Sequence, residues 1–189
     1  EQMSEAFLRH NEVLQQVVES HSGFIFKTIG DSFCCAFSDP YNALIAGIEA
    51  KQKISTEKWK DVQIKDRMGI HSGIAEWRST DYVGYVTLAR VQRIMASAYG
   101  GQIIISNDTY ELVKERFSGA NHKIHNAGNQ IVSFRDLGER RLKDLIQPVK
   151  LSQILAEDLR EEFPQVQHLA HRACLLAVTI YQFTGREKV

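Results

Sequence analysis

Apolar residues share one face of residues 3–19, where Phe7, Leu14, Val17 and Val18 oppose a charged side; this spacing predicts an amphipathic helix. The period then drops to two. In GFIFKTIGDSFCCAFSD, Phe24 and Phe26 share one face, and Phe33, Cys35 and Phe37 alternate again beyond Gly30-Asp31. Two short strands around a Gly-Asp tip predict a β-hairpin. Asp39-Pro40 opens a second helix as N-cap and first-turn proline. Its apolar face is Ala43, Leu44, Gly47 and Ile48, and it fades into the polar stretch Lys51–Asp61.

VQIKDRMGIHSGIAEW reads as a strand, with Gly69 and Gly73 where a neighbouring backbone or ligand comes close. DYVGYVTLARVQRIMASAYGG passes from strand to helix, with Val91, Ile94, Met95 and Ala98 inward and Gly100-Gly101 as the stop. QIIIS is a buried strand, and Ser106 caps a helix to about Arg116. IVSFRDLG and PVKLSQIL are extended runs around RRLKDL. Strands alternating with helices predict an α/β (α+β) sandwich, its helices packed on one mostly antiparallel sheet. The tail from Ala156 to Val189 changes character, from acidic to apolar to FTGREKV, so a domain boundary is set near residue 156.

With 189 residues, 43% hydrophobic and 24% charged, the chain has ample material for a core. Lys plus Arg and Asp plus Glu are both 23, so no bulk charge draws the chain to nucleic acid or anionic membrane. No apolar run reaches the roughly 18 residues of a bilayer span. Cys34, Cys35 and Cys174 make a poor disulfide framework and read as reduced thiols of a cytoplasmic protein.

The hairpin carries the most chemistry. Asp31 sits at the tip, and a carboxylate there suits Mg²⁺, which takes one or two carboxylates plus substrate phosphates. Lys27, four residues earlier, offers only donors and suits an acceptor on a base. Taken alone, the pair reads first as a turn aspartate and a surface strand lysine.

FKTIGDSFCCAF, RMGIHSGIAEW, DYVGYVTLARVQRIMASAYGGQIIIS and DLGERRLKDL, in that order, closely resemble a class III nucleotidyl cyclase catalytic domain over about residues 1–155. The resemblance implies a ferredoxin-like βαββαβ core, a homodimer with sites between subunits, and conversion of ATP or GTP to a 3′,5′-cyclic nucleotide and pyrophosphate. It implies Mg²⁺ or Mn²⁺ as cofactor, with Asp31 as a metal ligand. Lys27 and Asp81 match the two adenine-selecting positions, where guanylyl cyclases carry glutamate and usually cysteine. An aspartate accepts from the adenine amino group and a lysine donates to its ring nitrogen, so the pair favours ATP. Arg93 matches the arginine that stabilises phosphoryl charge in the transition state, with Arg90 as a rival. Lys143 matches a basic position near the triphosphate.

Two departures accompany the match. The family's ribose-holding asparagine falls on Ala89 or Leu88 here, depending on the end from which the helix is counted. Its first metal aspartate lies in an upstream strand, and this chain begins within the following helix region, so residues 1–189 alone are expected to be inactive. A degenerate nucleotide-binding or dimerisation module that regulates an attached ATPase is the alternative. The tail resembles the connector from such cyclases to a nucleotide-binding signalling ATPase, although no Walker A loop occurs. His122/His125 and His168/His171 have helical i, i+3 spacing but lack the complement of a zinc site. His71 reads as a buried strand histidine rather than a general base.

Overall fold

The computed structural model describes residues 2–59, 64–78, 81–117, 123–124, 130–164 and 174–180. Helix α1 (Gln2–Ser20) leads into the hairpin of β1 (Gly23–Ile29) and β2 (Ser32–Phe37), and α2 (Pro40–Thr56) follows. Asp39 caps α2 as its sequence predicts, its carboxylate accepting from the Tyr41 amide at 2.9 Å. The extended run after α2 divides into β3 (Arg67–Gly73) and a short β4 (Glu76–Arg78), which pairs with β5 (Asp81–Val83). Then come α3 (Tyr85–Ser97), β6 (Ile103–Ser106) and α4 (Asn107–Val113), the last capped by Ser106. A 3-10 turn (Lys114–Phe117) follows α4, and strands β7 (Lys123–Ile124), β8 (Gln130–Arg140), β9 (Val149–Ala156) and β10 (Cys174–Ile180) complete the described elements.

Eight strands form one sheet in the order β1-β2-β10-β3-β6-β9-β8-β7. The ladders are antiparallel on both flanks and parallel at the centre, where β10 lies between β2 and β3 and β3 pairs with β6. The α3 crossover from β3 to β6 requires that parallel pairing. The tail therefore contributes a strand to the sheet, and His122, His125, His168, His171 and FTGREKV lie outside the described residues.

Alternation along the strands builds a layer on each face. Phe33, Cys35 and Phe37 of β2 join Met68, Ile70, Ile103 and Ile105 under α1 and α2. Cys34 and Ala36 point the other way, toward Val91 and Met95 of α3. Contact on that second face depends on two glycines. A Cβ on Gly69 would lie 2.6 Å from the Met95 backbone, and one on Gly73 would lie 2.7 Å from Thr87 Oγ1. The close approach read from these positions is the approach of α3.

The polar stretch that begins at Lys51 behaves differently from its sequence pattern. The helix continues to Thr56, and Lys51 is 6% exposed.

Candidate active site

The hairpin is not a regular ladder. Ile25 pairs with Cys35 and Lys27 with Cys34, so Phe26 is an extra residue, a β-bulge. Strict alternation would send Phe26 and Lys27 to opposite faces. The bulge instead brings both to the wall of one cavity. Rings fasten β1 to the small β4–β5 ribbon: Phe24 meets Trp77 edge-on at 5.6 Å, Trp77 meets Tyr82 at 4.9 Å, and Phe26 meets Tyr82 at 5.0 Å.

That clamp sets Lys27 against Asp81. Lys27 Nζ donates to Asp81 Oδ2 at 2.6 Å, while Asp81 Oδ1 accepts from the Tyr82 amide at 2.8 Å. The hydrogen bond and charge of Asp81 raise the lysine pKa, so its ammonium is retained well above neutral pH. Behind the pair is a cavity of about 470 Å³, walled by Phe26, Cys34, Tyr82, Leu88 and Met95. An apolar slot with one donor and one acceptor at its side suits a flat heterocycle. Burial raises the Cys34 thiol pKa, and Cys34 and Cys35 are unpaired thiols.

Two sequence-predicted residues meet here, Lys27 and Asp81. Asp31 is exposed at the hairpin tip, beyond Gly30 at φ +62°. Among the described residues no three potential ligands cluster as a metal site, so Asp31 fits a metal only as one carboxylate of a larger set. Arg93 points to another loop, its guanidinium 2.5 Å from Asp144 Oδ2. Asp144 adopts φ +60° and directly follows the exposed Lys143; neither Arg93 nor Lys143 lines the cavity.

Helix α3 presents Tyr85, Leu88, Ala89, Gln92 and Met95 to the cavity. Both counts for the missing asparagine thus land on the cavity wall, and neither supplies a polar group. Gln92 was missed; the 85, 88/89, 92, 95 spacing of one helical face was the signal for it. Arg90 lies elsewhere, 3.8 Å from Asp108, with its Nε buried and without a partner. His71 is 2% exposed and its Nδ1 lies 2.8 Å from Ser106 Oγ. Burial lowers its pKa to about 4, so it is neutral at pH 7 and too weak a base to take a proton from a sugar hydroxyl.

No protein-family profile matches the chain. Its sequence is 28% identical over 189 residues to an uncharacterized protein of Mycobacterium tuberculosis, covering 98% of this chain and 60% of the relative. An adenylate cyclase of Lachancea kluyveri is 27% identical over 192 residues, covering 76% of this chain and 10% of that protein. The chain thus spans about 60% or less of the length of these relatives. In structure, an adenylate cyclase of Trypanosoma brucei in its monomeric state superposes with a TM-score of 0.69 at 17% identity, covering 89% of this chain and 86% of that one. The chain has the fold of a class III nucleotidyl cyclase catalytic domain, as its ordered motifs imply.

Proposed function

We propose, on this cyclase fold, that the chain is the nucleotide-handling part of an adenylate cyclase that converts ATP to 3′,5′-cyclic AMP and pyrophosphate. The observation that carries the reading is the Lys27–Asp81 pair at the mouth of an apolar slot. Adenine presents a donating amino group beside an accepting ring nitrogen; Asp81 takes the first and Lys27 serves the second. Guanine presents an accepting oxygen and a donating ring nitrogen and meets the wrong partner at each.

In this reading Arg93 and Lys143, which lie outside the lining of the slot, supply positive charge to the triphosphate. As the ribose 3′-oxygen attacks the α-phosphorus and the bond to pyrophosphate breaks, a guanidinium there stabilises the charge gathering on the phosphoryl oxygens. Arg93 first exchanges Asp144 for the phosphate. A divalent cation, Mg²⁺ or Mn²⁺, would neutralise the triphosphate and acidify the 3′-hydroxyl, and Asp31 is the residue of this chain that would help to hold it. A homodimer fits the exposed apolar rim of the cavity, where Ile29 is 55%, Tyr85 83% and Val86 71% exposed. A downstream nucleotide-binding ATPase belongs to the same proposal.

A second reading is favoured by Leu88, Ala89 and Gln92 on the wall and by the Arg93–Asp144 pair. It is a module that binds ATP without turning it over and regulates an attached ATPase.

The test is cyclic AMP formation from ATP and Mn²⁺ by the full-length protein, beside equilibrium binding of ATP and GTP. Turnover lost in Arg93→Ala and Asp31→Ala supports the enzyme. ATP binding without turnover selects the second reading. A Lys27→Glu, Asp81→Cys double variant that keeps the wild-type preference for ATP over GTP overturns both.

A further inference from the structure

A second cavity, of about 680 Å³, lies past the other end of α3. It is framed by the last turns of α2, the residues entering β3, the Gly100-Gly101 turn and the segment after β9. That last wall is tied down: Gln52 Nε2 donates to the Glu157 carbonyl at 3.2 Å and Gln153 Nε2 to the Glu161 carbonyl at 2.9 Å. Phe163 stacks on Tyr99, with the Arg160 guanidinium 4.8 Å from its ring centre.

Lys51 is the unusual member of the lining. It is buried, yet its ammonium donates only to the Asp66 carbonyl, at 2.5 Å. Two of its three N–H groups therefore have no protein partner among the described residues. Neither nearby carboxylate bonds Lys51, although Asp66 Oδ1 is buried and without a hydrogen-bond partner among the described residues. Asp66 Oδ2 is 3.0 Å from His10 Nε2, and Glu57 is held by Arg9 at 3.0 Å. Asp158 is exposed. Lys58 and Lys65 also line the cavity, and neither has an ion-pair partner among the described residues, while Trp59 and Ile64 supply apolar wall. A buried cation with idle donors costs stability unless an acceptor reaches it.

We propose that this cavity is a second ligand site, which takes an organic anion: a carboxylate or phosphate head on an apolar or aromatic body. The head sits on the idle donors of Lys51 within the field of Lys58 and Lys65, and the body packs on Trp59 and Ile64. Burial lowers the Lys51 pKa to about 8, so the cation that holds the anion is still present at pH 7. The site is separate from the Lys27–Asp81 cavity and does not depend on the cyclase reading.

Trp59 and Trp77 are the two tryptophans of the chain, and Trp77 belongs to the ring clamp beside the other cavity. Trp77→Phe therefore leaves Trp59 as the reporter. Its emission is titrated with 1-naphthyl phosphate, with 1-naphthoate and with neutral 1-naphthol. A saturable change with either anion, weakened at least about tenfold by Lys51→Met and by Lys58→Glu with Lys65→Glu, supports the site. Which anion binds more tightly identifies the head. The exposed pair of reversals keeps the test decisive should Lys51→Met fail to fold. No saturable change, equal binding of 1-naphthol, indifference to the charge reversals, or loss of binding in Lys27→Ala would each overturn it.

Discussion

Two lysines, one at each end of α3, have opposite environments. Lys27 is half exposed and meets a carboxylate at 2.6 Å, and its pKa rises. Lys51 is buried and, among the described residues, donates only to a carbonyl, and its pKa falls to about 8. An exposed cation with a partner is easily kept, and exchanging that partner for a base edge changes little in the fold. A buried cation without a carboxylate on it works against folding at neutral pH. The contrast separates a site that reads its ligand by exchange from one that holds donors idle until a ligand arrives.

The largest change should come from the support common to both. Gly69→Val places side-chain atoms where the Met95 backbone already lies, forcing α3 away from β3. Overpacking of this kind costs about 1–3 kcal/mol or more, so a thermal melt should fall by several degrees and both ligand responses should go together. A loss confined to one cavity would show that α3 is not their shared support.

Lys51 should give the next largest effect, with a defined pH signature. Between pH 8 and its ordinary value near 10.5, the unfolded chain holds a proton that the folded chain has released. Stability therefore rises with pH across that window, by roughly 3 kcal/mol if the whole shift is expressed. Lys51→Met should remove this rise and should match or exceed the wild type at pH 7 by about 1–3 kcal/mol. Paired denaturant melts at pH 7 and pH 9.5 measure the difference, and identical slopes for the two proteins would contradict the burial argument.

Lys27 should behave in the opposite sense. Its raised pKa means that any contribution from the Asp81 pair is present below its unfolded value and is lost as pH rises through the folded one. Because the pair is exposed, Lys27→Met should leave the melting temperature unchanged within error while weakening ATP binding about tenfold or more. A clear drop in melting temperature would make Lys27 a structural residue.

Asp144→Asn should have the smallest effect. It frees Arg93 from an exposed ion pair worth little to the fold, and it should tighten tripolyphosphate binding by a few fold at most. Weaker binding would mean that Asp144 positions Arg93 for the phosphates rather than competing with them.

Much of this contrast was invisible along the chain. Asp81 and Lys27 could be picked out because the DYVG and FKTIGDS motifs are local in sequence. Their union needed the Phe26 bulge, which breaks the alternation that the spacing suggested. Lys51 opened a stretch that read only as polar; the continuation of α2 against Asp66 buried it. Arg93 was found from its distance to Gly100-Gly101, but its partner Asp144 lies 51 residues away.

The sequence by itself determined the elements and their caps. Periodicity placed α1, the hairpin, α2, α3 and the late strands, and Asp39, Ser106, Gly69 and Gly73 acted through neighbours a few residues off or through the absence of a side chain. These are short-range effects of hydrogen bonding and sterics, and a linear pattern records them. Only the tertiary structure decided that β10 lies between β2 and β3, that a bulge turns Lys27 beside Asp81, and that one lysine is paired while another is buried with donors to spare. Strand order, bulge position and burial depend on contacts between segments far apart in the chain, and the energy of such contacts is written in no single stretch of residues.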